Sequence, residues 1–167
     1  MDLGLLIARL VFGPLMAAHG AQKLFGWFGG HGLAAVSGMF ESLGFRPGRL
    51  FATAAALAEV TSGLLVALGL FGPVGPALML SVMIVAAMSV HWQNGVFAMS
   101  NGIELPLLYA AGATALAFAG SGQWSLDALL GLAPVWTPAL TWSALAVAVI
   151  AATANLSVRR MPATAVA

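Results

Sequence analysis

The sequence predicts an all-α protein, a transmembrane helical bundle. Of its 167 residues, 61% are hydrophobic and 7% are charged, whereas soluble proteins carry about 25% charged residues. A soluble chain of this length has no interior large enough for so much apolar surface. The apolar runs are long and continuous rather than alternating, which excludes the strand pattern of a membrane barrel and favours helices.

Five apolar segments are candidates to cross a bilayer, whose hydrocarbon core needs about 20 helical residues. Pro14 is expected to bend the first segment, which we expect to be retained because it lacks the basic start of a signal peptide. The turn 72–76 is so short that the second and third segments must be antiparallel neighbours. Residues 26–43 are too few to span and predict an interfacial or re-entrant segment. The five segments are residues 3–20, 50–71, 74–90, 103–119 and 135–155.

The predicted organisation is a bundle over residues 1–130, an additional C-terminal span over 131–157 and a cytoplasmic tail over 158–167. Basic residues flank the first long loop and follow the last span: Lys23, Arg46, Arg49, Arg159 and Arg160. Five spans place all of them on one side, which the positive-inside rule makes cytoplasmic. A four-span chain with a peripheral last segment would break this agreement.

Glu59 lies near the middle of the second span, where a carboxylate costs on the order of 3 kcal/mol. Small residues at helical spacing share its side of the helix, which predicts that it faces another helix. Arg9, in the first span, is the predicted counter-charge. Glu59 then forms an interhelical salt bridge, or a hydrogen bond as a neutral acid, or it serves a proton or a ligand. The small residues are Ala52, Ala55, Ala56, Ser62 and Gly63.

One stripe of the first span carries two cations and small residues, and it is predicted to face the bundle with His19 beside it. The alternative for both cations is to extend towards the lipid headgroups. The stripe consists of Arg9, Gly13, Met16, Gly20 and Lys23.

A polar cluster joins the third and fourth spans and contains His91, Asn101 and Glu104. Glu104 is in the first turn of its helix, where the helix dipole stabilises a carboxylate. His91 is either an interfacial residue or the partner of Glu104 in a pair suited to proton transfer. Spacing alone does not decide whether the two side chains touch.

Metal or haem binding is disfavoured, because the three histidines, His19, His31 and His91, form no ligand-spaced cluster. The chain has no cysteine, which excludes thiol chemistry, and its net charge of +1 gives no indication of nucleic-acid binding. Trp27 lies in a glycine-rich loop. It is predicted to line an aromatic slot or to belong to the interfacial belt.

Four motifs in order resemble the DoxX family of small bacterial membrane proteins. They are residues 20–26 followed by Gly29 and Gly30, residues 58–69 around Glu59, His91 followed by residues 101–104, and residues 120–127. The similarity covers about residues 3–130. It implies a four-helix bundle, from which this chain departs by its predicted fifth span, and a multi-pass place in the bacterial inner (cytoplasmic) membrane.

The DoxX family is similar to the membrane subunit of thiosulfate:quinone oxidoreductase. The resemblance therefore implies a membrane subunit of a redox system that binds a quinone-like or other lipophilic molecule within the bundle. The cofactor is otherwise unknown, and electrons would have to come through a quinone or a partner subunit. The predicted catalytic residues are Glu59, His91 and Glu104. The predicted ligand-binding residues are Arg9, His19, Lys23, Trp27 and Asn101.

Two other functions are compatible with the sequence. The chain could be a non-catalytic scaffold or assembly subunit of a larger membrane complex, or a small transporter or channel that requires oligomerisation. Whether it is an enzyme stays open, with an accessory subunit of a quinone-linked oxidoreductase favoured. The expected partners are the lipid bilayer and either other membrane subunits or further copies of the chain.

Overall fold

The computed structural model describes residues 2–160, which form helices joined by turns and loops. The helix Val74–Ala86, α4 below, continues through a π-helical turn, Ala87–His91, and a 3-10 turn, Trp92–Asn94. This architecture confirms the all-α helical bundle. Residues 161–167 of the predicted tail lie outside the described residues. The helices are α1 (Asp2–Phe25), α2 (Gly32–Ser42), α3 (Gly48–Leu68), α4 (Val74–Ala86), α5 (Glu104–Ala119), α6 (Leu126–Leu129) and α7 (Pro138–Ser157).

Four helices of the described chain are long and apolar enough to cross a membrane, as in a multi-pass membrane protein in a lipid bilayer. The predicted additional C-terminal span, now α7, is one of them. α5, the predicted fourth span, is the short one. Its 16 residues make about 24 Å of helix, against a hydrocarbon core of about 30 Å. The four long helices are Asp2–Phe25, Gly48–Leu68, Val74–Asn94 and Pro138–Ser157.

α1 and α3 pack backbone against backbone, because glycines line their contact. A Cβ atom on Gly13 would lie 2.6 Å from the backbone nitrogen of Ala67. One on Gly20 would lie 2.6 Å from the carbonyl oxygen of Ala56. The order of these contacts makes the two helices antiparallel. Small residues at such positions are how membrane helices approach closely enough for tight packing.

The two ends of the bundle are named here by a residue of α1. The Asp2 end holds the start of α1, the α3–α4 turn and the α5–α7 connection. There the Gln123 amide donates a 2.9 Å hydrogen bond to Asp2 Oδ1. The Lys23 end holds the α1–α3 connection, the α4–α5 loop and the end of α7. There the Arg160 amide donates a 2.8 Å hydrogen bond to the Gly44 carbonyl.

α2 packs against α3 and closes part of the Lys23 end. The buried ring of Phe45 lies between Phe40, at 5.6 Å between ring centroids, and Phe51, at 5.3 Å. The Gly48 amide donates a 3.2 Å hydrogen bond to Glu41 Oε1, which ties α2 to the start of α3. The segment 26–43 thus contains a packed helix. Its interfacial or re-entrant position stays a prediction.

Candidate functional site

A cavity of about 360 Å³ lies at the Lys23 end, between α2, α3, the extended α4 and α7. We call it the Lys23 cavity. Its volume falls in the range of small-molecule sites, about 300–1,000 Å³, and most of its lining is apolar, as in such sites. A few polar side chains interrupt that lining: Lys23, Glu59, Ser81, Ser89, His91 and Asn155.

The Lys23 ammonium group forms an ion pair with Glu59 Oε1 at the wall of this cavity. Glu59 is buried, and the small-residue face of α3 gives α1 the room to place a lysine beside it. The interhelical salt bridge is therefore present. The prediction that Arg9 is the counter-charge of Glu59 is wrong, because Lys23 forms this ion pair.

Glu59 keeps one oxygen free for another donor. Its Oε2 atom is buried and has no hydrogen-bond partner within residues 2–160. A buried unpaired carboxylate oxygen carries a desolvation cost of about 1–3 kcal/mol or more. The ammonium group of Lys23 has three N–H donors, of which Glu59 Oε1 uses one. The pair therefore has an unused acceptor and unused donors, and both residues line the cavity.

Arg9 lies at the opposite end of the bundle. Its guanidinium group donates to the carbonyl oxygens of Ser121, Trp124 (2.8 Å) and Ala67 (3.3 Å). Ala67 is eight residues from Glu59 along α3, about 12 Å at 1.5 Å per residue. Arg9 is buried among protein atoms. It fastens the α5–α7 connection to α1 and α3 instead of binding Glu59.

Asp127 completes this arrangement at the Asp2 end. Its fully buried carboxylate accepts hydrogen bonds from the backbone amides of Phe71, at 2.8 Å, and Gly72, at 2.7 Å. It thereby caps the turn between α3 and α4. Asp127 belongs to the motif at residues 120–127, from which no role for this carboxylate was predicted. The sequence did carry a signal for a capping role: Asp127 is an isolated acid that follows a long apolar helix and lies close to glycine and serine residues.

His91 lies on the cavity wall at the end of the π-helical turn of α4. Its Nδ1 atom lies 2.8 Å from the Asn101 carbonyl oxygen. Because a carbonyl can only accept, Nδ1 carries the proton and Nε2 is left to act as an acceptor, or as a donor once the ring is protonated. π-helical turns of this kind occur frequently at functional sites.

The predicted His91–Glu104 pair does not form within the described chain, so that prediction is wrong. Glu104 Oε2 accepts a 2.7 Å hydrogen bond from the Ala98 amide, whereas His91 bonds to Asn101. Both side chains brace the loop between α4 and α5, at different points. Glu104 is in the first turn of α5, as predicted. Asn101 takes part through its backbone carbonyl.

Four of the five predicted ligand-binding residues lie outside the lining of the Lys23 cavity: Arg9, His19, Trp27 and Asn101. The His19 Nδ1 atom lies 3.2 Å from Gln22 Oε1, and the imidazole ring packs edge-on against Tyr109, 6.0 Å between centroids. Trp27 is exposed and packs on Phe25, with 4.9 Å between ring centroids. The structure thus brings together Lys23, Glu59 and His91, and it leaves His19, Trp27, Asn101, Glu104 and Arg9 elsewhere.

Four residues near the site were not singled out from the sequence. Ser81, Ser89 and Asn155 line the cavity, and the buried ring of Tyr109 interacts electrostatically with Glu59. The signal was available, since these are polar residues within otherwise apolar helices. Their common location was not predictable, because helices far apart in the sequence come together only in the folded bundle.

The arrangement suits a molecule that is mainly apolar and carries a few hydrogen-bonding groups. Within residues 2–160, no group of three or more histidine, aspartate or glutamate side chains is arranged to hold a metal ion. The Lys23 cavity offers ammonium donors, a carboxylate oxygen and an imidazole nitrogen inside an apolar wall. A group with carbonyl or hydroxyl oxygens at its polar end matches these partners.

Comparison with known families adds one finding. A model of the DoxX family matches residues 4–92, which is more than half of the chain and includes Lys23, Glu59 and His91. Comparison with curated proteins and with solved structures gives no match. The matched range, together with the apolar helices and the bundle they form, leads to one conclusion: the chain belongs to the DoxX family.

Proposed function

We propose that this protein is a membrane subunit of a redox system and binds a quinone-like or other lipophilic molecule in the Lys23 cavity. The observation that carries the proposal is the buried Glu59 Oε2 atom, which lacks a partner within residues 2–160 and belongs to a residue of the cavity wall. A hydroxyl group of a bound molecule would satisfy it. Lys23 would donate to a carbonyl oxygen of the same class of molecule.

His91 supplies the group through which a proton can move. Its Nε2 atom has no hydrogen-bond partner within residues 2–160, while Nδ1 is held by the Asn101 carbonyl. Reducing a quinone to a quinol takes two electrons and two protons. The chain has no cysteine for thiol redox chemistry, and we propose that the electrons come from a redox partner subunit. Glu59 and Lys23 would bind and orient the quinone-like molecule, and His91 would protonate it.

We also propose where the chain is located and how it is oriented in the membrane. We place the chain in the cytoplasmic membrane of a bacterium, with the Lys23 end in the cytoplasm. Lysine and arginine residues other than Arg9 belong to that end, which is the asymmetry that the positive-inside rule requires. The Lys23 cavity would then receive protons from the cytoplasmic side.

The test is direct binding to the purified protein. A ubiquinone analogue with a single isoprene unit is titrated into the protein in nanodiscs, and its Kd is measured for Glu59→Gln and His91→Ala. We expect Glu59→Gln to bind at least tenfold more weakly, because a lost hydrogen bond to a charged group is worth about 1.5–3 kcal/mol. We expect His91→Ala to bind about fivefold more weakly, because a hydrogen bond to a neutral group is worth about 1 kcal/mol.

The matched controls are Glu104→Gln and His31→Ala, which change the same residue types outside the cavity lining. Both should bind within about twofold of the wild type. Unchanged binding in Glu59→Gln and in His91→Ala, with normal folding, would exclude the site. A protein that binds no analogue and purifies only with other subunits would favour the scaffold function instead.

A further inference from the structure

An apolar groove of about 450 Å³ runs along the outside of the bundle between α4 and α7. We call it the α4–α7 groove. Apart from two serines and a tryptophan, its lining consists of aliphatic side chains and a proline. It begins near Val74 and Leu140 at the Asp2 end and reaches Ser81 and Ala151.

The groove and the Lys23 cavity share part of their walls. Leu78, Ser81 and Ala151 line both. Along α4 the two together extend from Val74 to His91, about 26 Å at 1.5 Å per residue. That length approaches the bilayer hydrocarbon thickness of about 30 Å. One end of the combined volume is polar and the rest is apolar.

We propose that the α4–α7 groove holds the apolar tail of the same molecule whose polar head occupies the Lys23 cavity. This inference rests on the proposed function and narrows it to an amphiphile that enters sideways from the lipid. Only the Lys23 cavity provides charged partners along this path, so the head must lie there and the tail must point towards the Asp2 end. A tail in the groove buries apolar surface without displacing a side chain.

The test compares two ligands with one head group: a ubiquinone analogue with a single isoprene unit and one with a decyl chain. The variants Ser143→Phe and Val147→Phe fill the groove, and both positions are exposed and outside the Lys23 cavity. We expect the affinity for the decyl analogue to fall at least tenfold. The affinity for the short analogue should stay within twofold. Ala146→Phe, on α7 but outside the groove lining, should leave both unchanged.

Each other outcome overturns the inference in a recognisable way. If wild-type protein binds neither analogue, the proposed function has failed. If both analogues bind but the groove variants weaken them equally, or weaken neither, the Lys23 cavity stands and the tail does not use the groove. If a diacyl phospholipid competes with the decyl analogue as strongly as the short analogue does, the groove is a general lipid site.

Discussion

Replacing Lys23 with methionine should destabilise the bundle by about 2–3 kcal/mol. The side chain of Lys23 is 25% exposed and that of Glu59 is 4% exposed. Breaking a fully buried pair costs about 3–5 kcal/mol, whereas an exposed pair contributes at most about 1 kcal/mol. This pair lies between these limits, nearer the buried one. Methionine keeps the apolar length of the lysine, so the loss reports on the charge.

The measurement is a double-mutant cycle with Lys23→Met, Glu59→Gln and the combined variant. Reversible unfolding in mixed micelles, followed by helical circular dichroism, gives the free energy of unfolding for each. The combined variant leaves no unpaired charge in the core. Its loss should therefore be smaller than the sum of the single losses by about 0.5–3 kcal/mol, the range for directly coupled residues.

Arg49→Met is the control, since Arg49 is an exposed cation at the start of α3. Its effect should stay within about 0.5 kcal/mol. The reasoning is refuted if Lys23→Met costs no more than Arg49→Met. It is equally refuted if the two single losses add without coupling, because the ion pair would then contribute nothing to the folded state.

Three further changes test other parts of the fold by the same unfolding measurement. Gly63→Val should cost about 3 kcal/mol, because a Cβ there would lie 2.5 Å from α1 backbone atoms, while Gly4→Val meets no atom within 4 Å and should be nearly neutral. Equal losses would disprove the close contact. Asp127→Asn should cost about 2 kcal/mol by weakening charged hydrogen bonds to two turn amides, more than Asp2→Asn, whose half-buried carboxylate accepts one amide hydrogen bond. Arg9→Met should cost about 3 kcal/mol by stripping three carbonyls of their donor; a loss under 0.5 kcal/mol would mean that water replaces it.

The sequence allowed two predictions: the class of fold, and that the side chain of Glu59 faces a neighbouring helix. Long apolar runs leave helices as the structure that satisfies the backbone in lipid, and small residues at helical spacing indicate which side of α3 faces a neighbour. The structure bears out the bundle, with Glu59 buried against α1. Both features depend on local spacing, which the chain carries residue by residue.

The partner of Glu59 was not predictable in the same way. Arg9 and Lys23 lie on one stripe of α1, so spacing alone allowed either of them. The axial register of α1 against α3 decides, and the contacts of Gly13 with Ala67 and of Gly20 with Ala56 set that register. They bring Lys23 level with Glu59. They hold the guanidinium group of Arg9 beside Ala67, which lies about 12 Å from Glu59 along α3.

The Lys23 cavity is a property of the folded bundle alone. Lys23, Glu59 and His91 are separated by more than thirty residues at each step, and helical spacing within one segment cannot relate them. Closeness in sequence did not predict contact either. His91 and Glu104 both form hydrogen bonds within the α4–α5 loop, but they do not bond to each other. Periodicity reports which face of a helix is polar. Only packing determines which faces meet, at what depth, and where they leave a space.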